Sequence, residues 1–182
     1  MRIGIDISQI IYEGTGVGRY VREMVISLLS LDQENEYVLF GSSLRQRNKF
    51  YTFFNQVKKL NKTIKLSIWF LPPILLDLLW NQLHILPVEW LIGTVDVFWS
   101  SDWTQPPLIN ARGITTIHDV SFLRFPESFD AKILAVQKRR LAQAKKECRV
   151  FLCDSEVTKQ DVKTLLHIDE KKLRVIYPGF SI

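Results

Sequence analysis

Two adjacent residues, His118 and Asp119, stand where an α/β protein does its chemistry. They follow Ile114-Thr-Thr-Ile117, a β-branched run without charge that fits a buried strand. Ligands of an open α/β sheet occupy the crevice outside the carboxyl ends of its strands. An imidazole there can donate to a sugar hydroxyl or act as an acid–base group; a loop histidine with both nitrogens satisfied is the structural alternative. Asp119 can orient His118, cap a turn or bind a hydroxyl. Asp102-Trp103 ends another strand pattern. An acid beside an aromatic face suits carbohydrate, whereas an exposed turn with one packed tryptophan is the alternative reading. Finally, Gly14-Thr-Gly16-Val-Gly18 opens a helix. Its spacing is not that of the dinucleotide fingerprint, but glycines allow close approach to an anion, and the first free N–H groups of a helix point at one. A plain turn with positive φ would need the same residues.

The elements that must carry these residues alternate. Strands are predicted at 2–7, 36–40 (ended by Gly41), 63–70 with Lys62 and Lys65 at its start, 95–100, 114–117, 149–153 and 173–177, the last halted by Pro178-Gly179. Val17, Tyr20, Val21, Met24, Val25 and Leu28 recur at helical spacing. Further helices are predicted within 44–60, 77–86, 130–147, and after the Asp154-Ser155 cap. Residues 104–113, with Pro106, Pro107, Asn110 and Gly113, read as a loop. On the 130–147 helix, Lys132, Lys138, Arg139, Arg140, Lys145 and Lys146 form a cationic face. That face is a solvated surface or is attracted to an anionic leaflet. His84 and His167 fall in helical stretches and read as structural. The order of elements implies parallel strands with crossovers, hence a doubly wound α/β sheet.

Composition bounds the rest. At 182 residues, with 47% hydrophobic and 24% charged, the chain can bury one good core. A net charge of +5 suits anionic ligands or an anionic membrane surface, without arguing for nucleic acid. Cys148 and Cys153 show neither metal-ligand spacing nor a disulfide framework and read as reduced, buried thiols of a cytoplasmic protein. Asp6 and the early glycines exclude a signal-peptide core. The most apolar stretch, 70–92, is broken by Pro72, Pro73, Asp77, His84, Pro87 and Glu89, so it is not read as a membrane span.

Taken together, Gly14-Thr-Gly-Val-Gly-Arg-Tyr20, Trp80-Asn-Gln82, Asp96-Val-Phe-Trp-Ser-Ser-Asp-Trp103, Thr116-Ile-His-Asp-Val-Ser-Phe-Leu-Arg-Phe-Pro126, Asp154-Ser-Glu-Val-Thr-Lys159 and Val175-Ile-Tyr-Pro-Gly179 form an ordered series. It resembles the N-terminal half of a family 4 glycosyltransferase with the GT-B fold, of the mannosyltransferase-like kind. The likeness spans essentially the whole chain and is strongest over 115–129 and 150–179. It implies a Rossmann-like domain on the acceptor side of a cleft. The implied reaction is retaining sugar transfer from a nucleotide-sugar donor to a glycan or lipid-linked acceptor, without a metal ion or other cofactor. Carried over by position, Gly16 and Gly18 approach the donor diphosphate. His118 faces the transferred sugar through its carbonyl or hydroxyl contacts, and Asp119 supports it; Asp102 and Trp103 serve acceptor or sugar binding. No protein nucleophile is implied.

Two departures bear on this. Trp99-Ser-Ser-Asp-Trp103 stands where similar proteins often show His-Ser-Pro-Asp-Trp, which suggests a different acceptor. The family's phosphate clamp and Glu-x7-Glu segment have no counterpart here. The expectation is a chain inactive alone, completed by a C-terminal GT-B domain in cis or trans, in cell-surface polysaccharide or lipopolysaccharide synthesis. A cytoplasmic location with peripheral contact at an anionic membrane is expected. A stand-alone binding module is the rival reading. A dinucleotide-dependent oxidoreductase is weaker, since Phe40-Gly41 stands where an acidic ribose reader would end the second strand.

Overall fold

Residues 1–61 and 63–179 are described by a computed structural model. Lys62, read at the start of the third strand, and residues 180–182 lie outside the described residues. Seven strands, β1 (Arg2–Asp6), β2 (Glu36–Ser42), β3 (Ile64–Trp69), β4 (Val97–Ser100), β5 (Arg112–Ile117), β6 (Cys148–Cys153) and β7 (Leu173–Val175), form one sheet in the order β3-β2-β1-β4-β5-β6-β7. Every pairing is parallel. The chain steps outward from β1 to β3, returns to the other side of β1, and then proceeds to β7. The switch point therefore lies between β1 and β4, where ligand crevices of such sheets form.

The helices are α1 (Gly16–Leu31), α2 (Arg47–Val57), α3 (Pro73–Leu76, running on as a π-turn over Asp77–Gln82), α4 (Glu89–Ile92), α5 (Ser121–Arg124), α6 (Ala131–Glu147) and α7 (Glu156–Leu166). Successive strand residues point to opposite faces, and both faces are covered. Ile5, Leu39 and Trp99 pack with Val25 and Leu29 of α1 and Phe50 and Phe53 of α2. Val38, Phe40 and Phe98 face the other way, toward Leu76, Trp80, Val88 and Ile92. A third cluster joins Phe151 and Cys153 of β6 to Leu141 and Ala144 of α6 and Val162 of α7. The expected doubly wound, Rossmann-like sheet is the observed one.

Several boundaries differ from the sequence reading. β2 runs through Gly41 to Ser42, because a bare α-carbon admits the Phe50 ring, which would lie 3.0 Å from a Cβ there. β5 begins at Arg112, inside the expected loop. The helix predicted over 77–86 ends as a π-turn at Gln82. The chain then folds back, so that the buried Trp80 Nε1 donates to the Leu86 carbonyl at 3.0 Å. His84 and His167 are accordingly not within helices. His84 (φ 53°) follows the π-turn, and His167 (φ 52°) is the left-handed cap of α7. His84 bridges the Trp80 carbonyl and Glu147 Oε1. Cys148 and Cys153 are free and buried, and burial pushes their thiols up to about 12 and about 11.

Candidate functional site

The carboxyl ends of four neighbouring strands supply the rim. Asp6 ends β1, Ser101 and Asp102 follow β4, His118 follows β5, and Asp154 follows β6. The His118 Nδ1–H donates to Asp154 Oδ2 at 2.7 Å. A carboxylate can only accept, so this contact fixes the tautomer and leaves Nε2 for a ligand. The ring also stands edge-on to Tyr20 of α1, with centroids 4.9 Å apart. The glycine turn that opens α1 and the imidazole thus share one rim, as the sequence reading required. The His118 carbonyl already accepts from Thr158 Oγ1 at 3.1 Å, so one of its two acceptor positions is occupied. Asp119 does not orient His118. Its Oδ1 accepts from the backbone N–H and hydroxyl of Ser121, capping the turn into α5. The orienting partner is Asp154, which the sequence reads as a helix cap and as the start of the Asp154–Lys159 motif.

The three glycines divide their roles. Gly14 has φ +84°, which favours glycine. Gly16 has nothing within 4 Å of where a Cβ would stand, so its face is open. Gly18 is enclosed: a Cβ there would lie 2.8 Å from the Gln9 carbonyl and 2.9 Å from that of Tyr12. Its N–H is taken by the Thr15 hydroxyl at 3.1 Å. The expectation that Gly18 approaches a diphosphate is therefore corrected. It lets α1 pack against the turn, and Gly16 is the glycine with an accessible face.

A charged group behind the rim was also misread. Arg140 was expected on the solvated face of the 130–147 helix, yet it is 2% exposed. Its Nη2 donates to the Ser101 carbonyl at 2.9 Å and also to Thr115 Oγ1 and the Thr116 carbonyl. It ties the end of β4 to the end of β5. The neighbouring Arg139 ion-pairs with Asp77 at 2.8 Å. Asp102 is an acid near this cation, and Asp6 is an acid near Asp102. Burial raises the Asp6 carboxyl to about 6, although Ser8 donates to it. Burial likewise raises Asp102, opposed by the charges of Arg140 and His118. Asp6 Oδ2 and Asp102 Oδ1 are buried without a hydrogen-bond partner.

Two cavities meet here. A smaller one, about 160 Å³, is lined by His118, Asp119, Thr116, Gln137 and Arg140. A larger one, about 620 Å³, lies beside the glycine turn, between Thr15, Ser42, Ile74, Trp103 and Val136. Asp102 and Val17 line both. Trp99, by contrast, is buried in the core and donates to Thr116 Oγ1 at 3.1 Å. At the end of β2, Ser42 bonds to Leu71, and no acidic ribose reader stands at that strand end as a dinucleotide enzyme would require.

A family model described as Glycosyltransferase Family 4 matches residues 14–182, from the first glycine of the turn onward. The chain belongs to Glycosyltransferase Family 4. No curated protein matches it. For a family 4 chain the general substrates are a nucleotide-sugar donor and an acceptor, and the rim is the place where its strand ends can meet them. Among the described residues, no helix of this family 4 domain is long and apolar enough to cross a membrane.

Three site residues were not singled out by sequence reading: Asp154, Tyr20 and Arg140. Asp154 had a signal, since it ends a strand next to that of His118. Tyr20 lies in the apolar stripe of α1 and ends the glycine motif, neither of which marks it as a neighbour of His118. Arg140 lay among five other cations and was indistinguishable from them.

Proposed function

We propose that this chain is the acceptor-side half of a retaining, nucleotide-sugar-dependent glycosyltransferase of GT-B architecture. We take it to be mannosyltransferase-like and to act in cell-surface polysaccharide or lipopolysaccharide synthesis, in the cytoplasm at the membrane face. The observation that carries the reading is the shared rim. An imidazole pinned by Asp154 stands over a cavity, and the helix opened by the glycine turn reaches the same ring. In this reading the donor sugar occupies the smaller cavity, with Nε2 of His118 bonding to it. The free N–H groups at the start of α1 and the open face of Gly16 approach the diphosphate. Arg140 is committed to Ser101, Thr115 and Thr116. In this reading the cations that neutralise the leaving diphosphate come from a second, donor-binding domain across the cleft, in cis or in trans. Such preorganised charge is commonly the largest single contribution to transfer.

Transfer from a panel of nucleotide sugars, assayed with a donor-binding domain present in cis or in trans, tests the reading. His118→Ala should lower turnover by about 10² or more, the size of losing one preorganised polar group. Product and donor should share anomeric configuration, and chelation by EDTA should leave the rate unchanged. Full turnover in His118→Ala would remove the assignment.

A further inference from the structure

We propose that the cavity of about 620 Å³ beside the glycine turn holds a hydrocarbon portion of the acceptor, so that this enzyme glycosylates an amphipathic alcohol whose hydroxyl meets Asp102. The inference deepens the glycosyltransferase reading and depends on it only for the word acceptor. The cavity lies within the roughly 300–1,000 Å³ range of small-molecule sites. Its walls are Ile11, Tyr12, Val17, Leu76, Trp103 and Val136, drawn from separate elements on both sides of the switch point. A bare sugar carries a hydroxyl on nearly every carbon. Buried against these side chains it would strand hydrogen-bonding groups, which is costly, whereas a hydrocarbon would not.

The polar groups at the cavity are mostly committed. Ser42 Oγ bonds to Leu71, and Ser101 Oγ to Thr104. Asp102 differs: its Oδ1 is buried and has no donor, and the residue lines both cavities. Oδ1 itself is closed off, so a hydroxyl at the cavity wall meets the carboxylate on the part of Asp102 that lines the cavity. That hydroxyl would sit between the apolar cavity and the smaller one that contains His118, which is where an attacking oxygen is needed. At the cavity wall Ile74 is 85% exposed, so a chain longer than the cavity can leave across it.

The test uses this chain without any donor, so a failure of sugar transfer would not affect it. Glucose and butyl, hexyl and octyl glucosides below their micelle concentrations are titrated, with calorimetry and the intrinsic tryptophan fluorescence, to which Trp103 contributes, as readouts. Affinity should rise about four-fold per methylene until the cavity is filled, with no binding of glucose itself. Val136→Trp, which fills the cavity, should abolish the chain-length dependence while melting cooperatively. Ile74→Asp changes an exposed residue that cannot unfold the domain, and should weaken octyl but not butyl glucoside. A flat series in the wild-type chain, or an unchanged slope in Ile74→Asp, would overturn the proposal. Displacement of octyl glucoside by UDP or GDP would also overturn it, assigning the cavity to the donor's nucleoside instead.

Discussion

The imidazole of His118 is held by a carboxylate 36 residues further on, Asp154, at 2.7 Å, and not by its sequence neighbour Asp119. The two residues end adjacent parallel strands, β5 and β6, paired from Gly113 with Cys148 to Ile117 with Cys153. The next residue on each strand is therefore brought alongside the other. Removing the acceptor should loosen the ring and free its tautomer. Asp154→Asn is expected to lower kcat at least ten-fold in the complete enzyme, the scale seen when a residue that orients an active group is lost. Asp119→Asn keeps an acceptor for Ser121 and should shift KM more than kcat. Steady-state kinetics on the two variants separates them; equal kcat losses would count against the assignment.

Adjacent glycines of the turn should respond in opposite ways. Gly18→Ala places a methyl 2.8 Å from a backbone carbonyl that cannot move cheaply. A destabilisation of about 1–3 kcal/mol is expected from overpacking. Gly16→Ala meets nothing within 4 Å, and stability should change by less than about 0.5 kcal/mol, as at other unencumbered surface sites. If the open face of Gly16 approaches the donor, Gly16→Ala should nonetheless raise KM for the nucleotide sugar. Denaturant unfolding and donor titration together check both halves.

Arg140 and Arg139 are neighbours on α6 with different surroundings. Arg140→Met leaves the Ser101 and Thr116 carbonyls without their guanidinium donor and Asp102 without its nearby cation. Leaving buried carbonyls unsatisfied typically costs about 1–3 kcal/mol each. A Tm fall on the order of 10 °C follows for a domain of this size. Arg139→Ala loses a partly exposed ion pair with Asp77 and should cost less than about 1 kcal/mol. Thermal melts of the two variants compare them directly.

Asp6 sets a pH dependence of the opposite sign to an ion-paired carboxylate. Its folded value is about 6 against 3.8 for the free group, so the folded state binds the proton more tightly. Stability from this group is full below pH 4 and falls as pH rises from about 4 to about 6. The loss approaches 3 kcal/mol from a shift of this size, at 1.36 kcal/mol per unit. Asp6→Asn keeps an oxygen for the Ser8 N–H, bonded at 2.8 Å, and carries no charge to bury. It should be more stable than wild type at pH 8 and flatten the slope between pH 4 and 6. Urea unfolding across that range measures the difference; an unchanged slope would assign it to other groups.

What the amino-acid sequence determined alone is the layered parallel sheet and which candidate residues end its strands. β-branched runs alternating with amphipathic helices leave few other arrangements, and the strand-ending residues Asp102 and His118 are legible because they interrupt those runs. The likeness that led to Glycosyltransferase Family 4 was legible in part for the same reason, since several of its motifs sit at strand ends. Pairing across the sheet was decided only by the tertiary structure. Asp154 reaches His118 through strand register, which no local spacing encodes. Arg140 turns inward because the ends of β4 and β5 present carbonyls beneath it, although its neighbours on the helix are as basic as it is. Gly16 and Gly18 are distinguished by which backbone lies over them. Local patterns report the period and polarity of an element, whereas the partners of a side chain depend on segments far away in the chain.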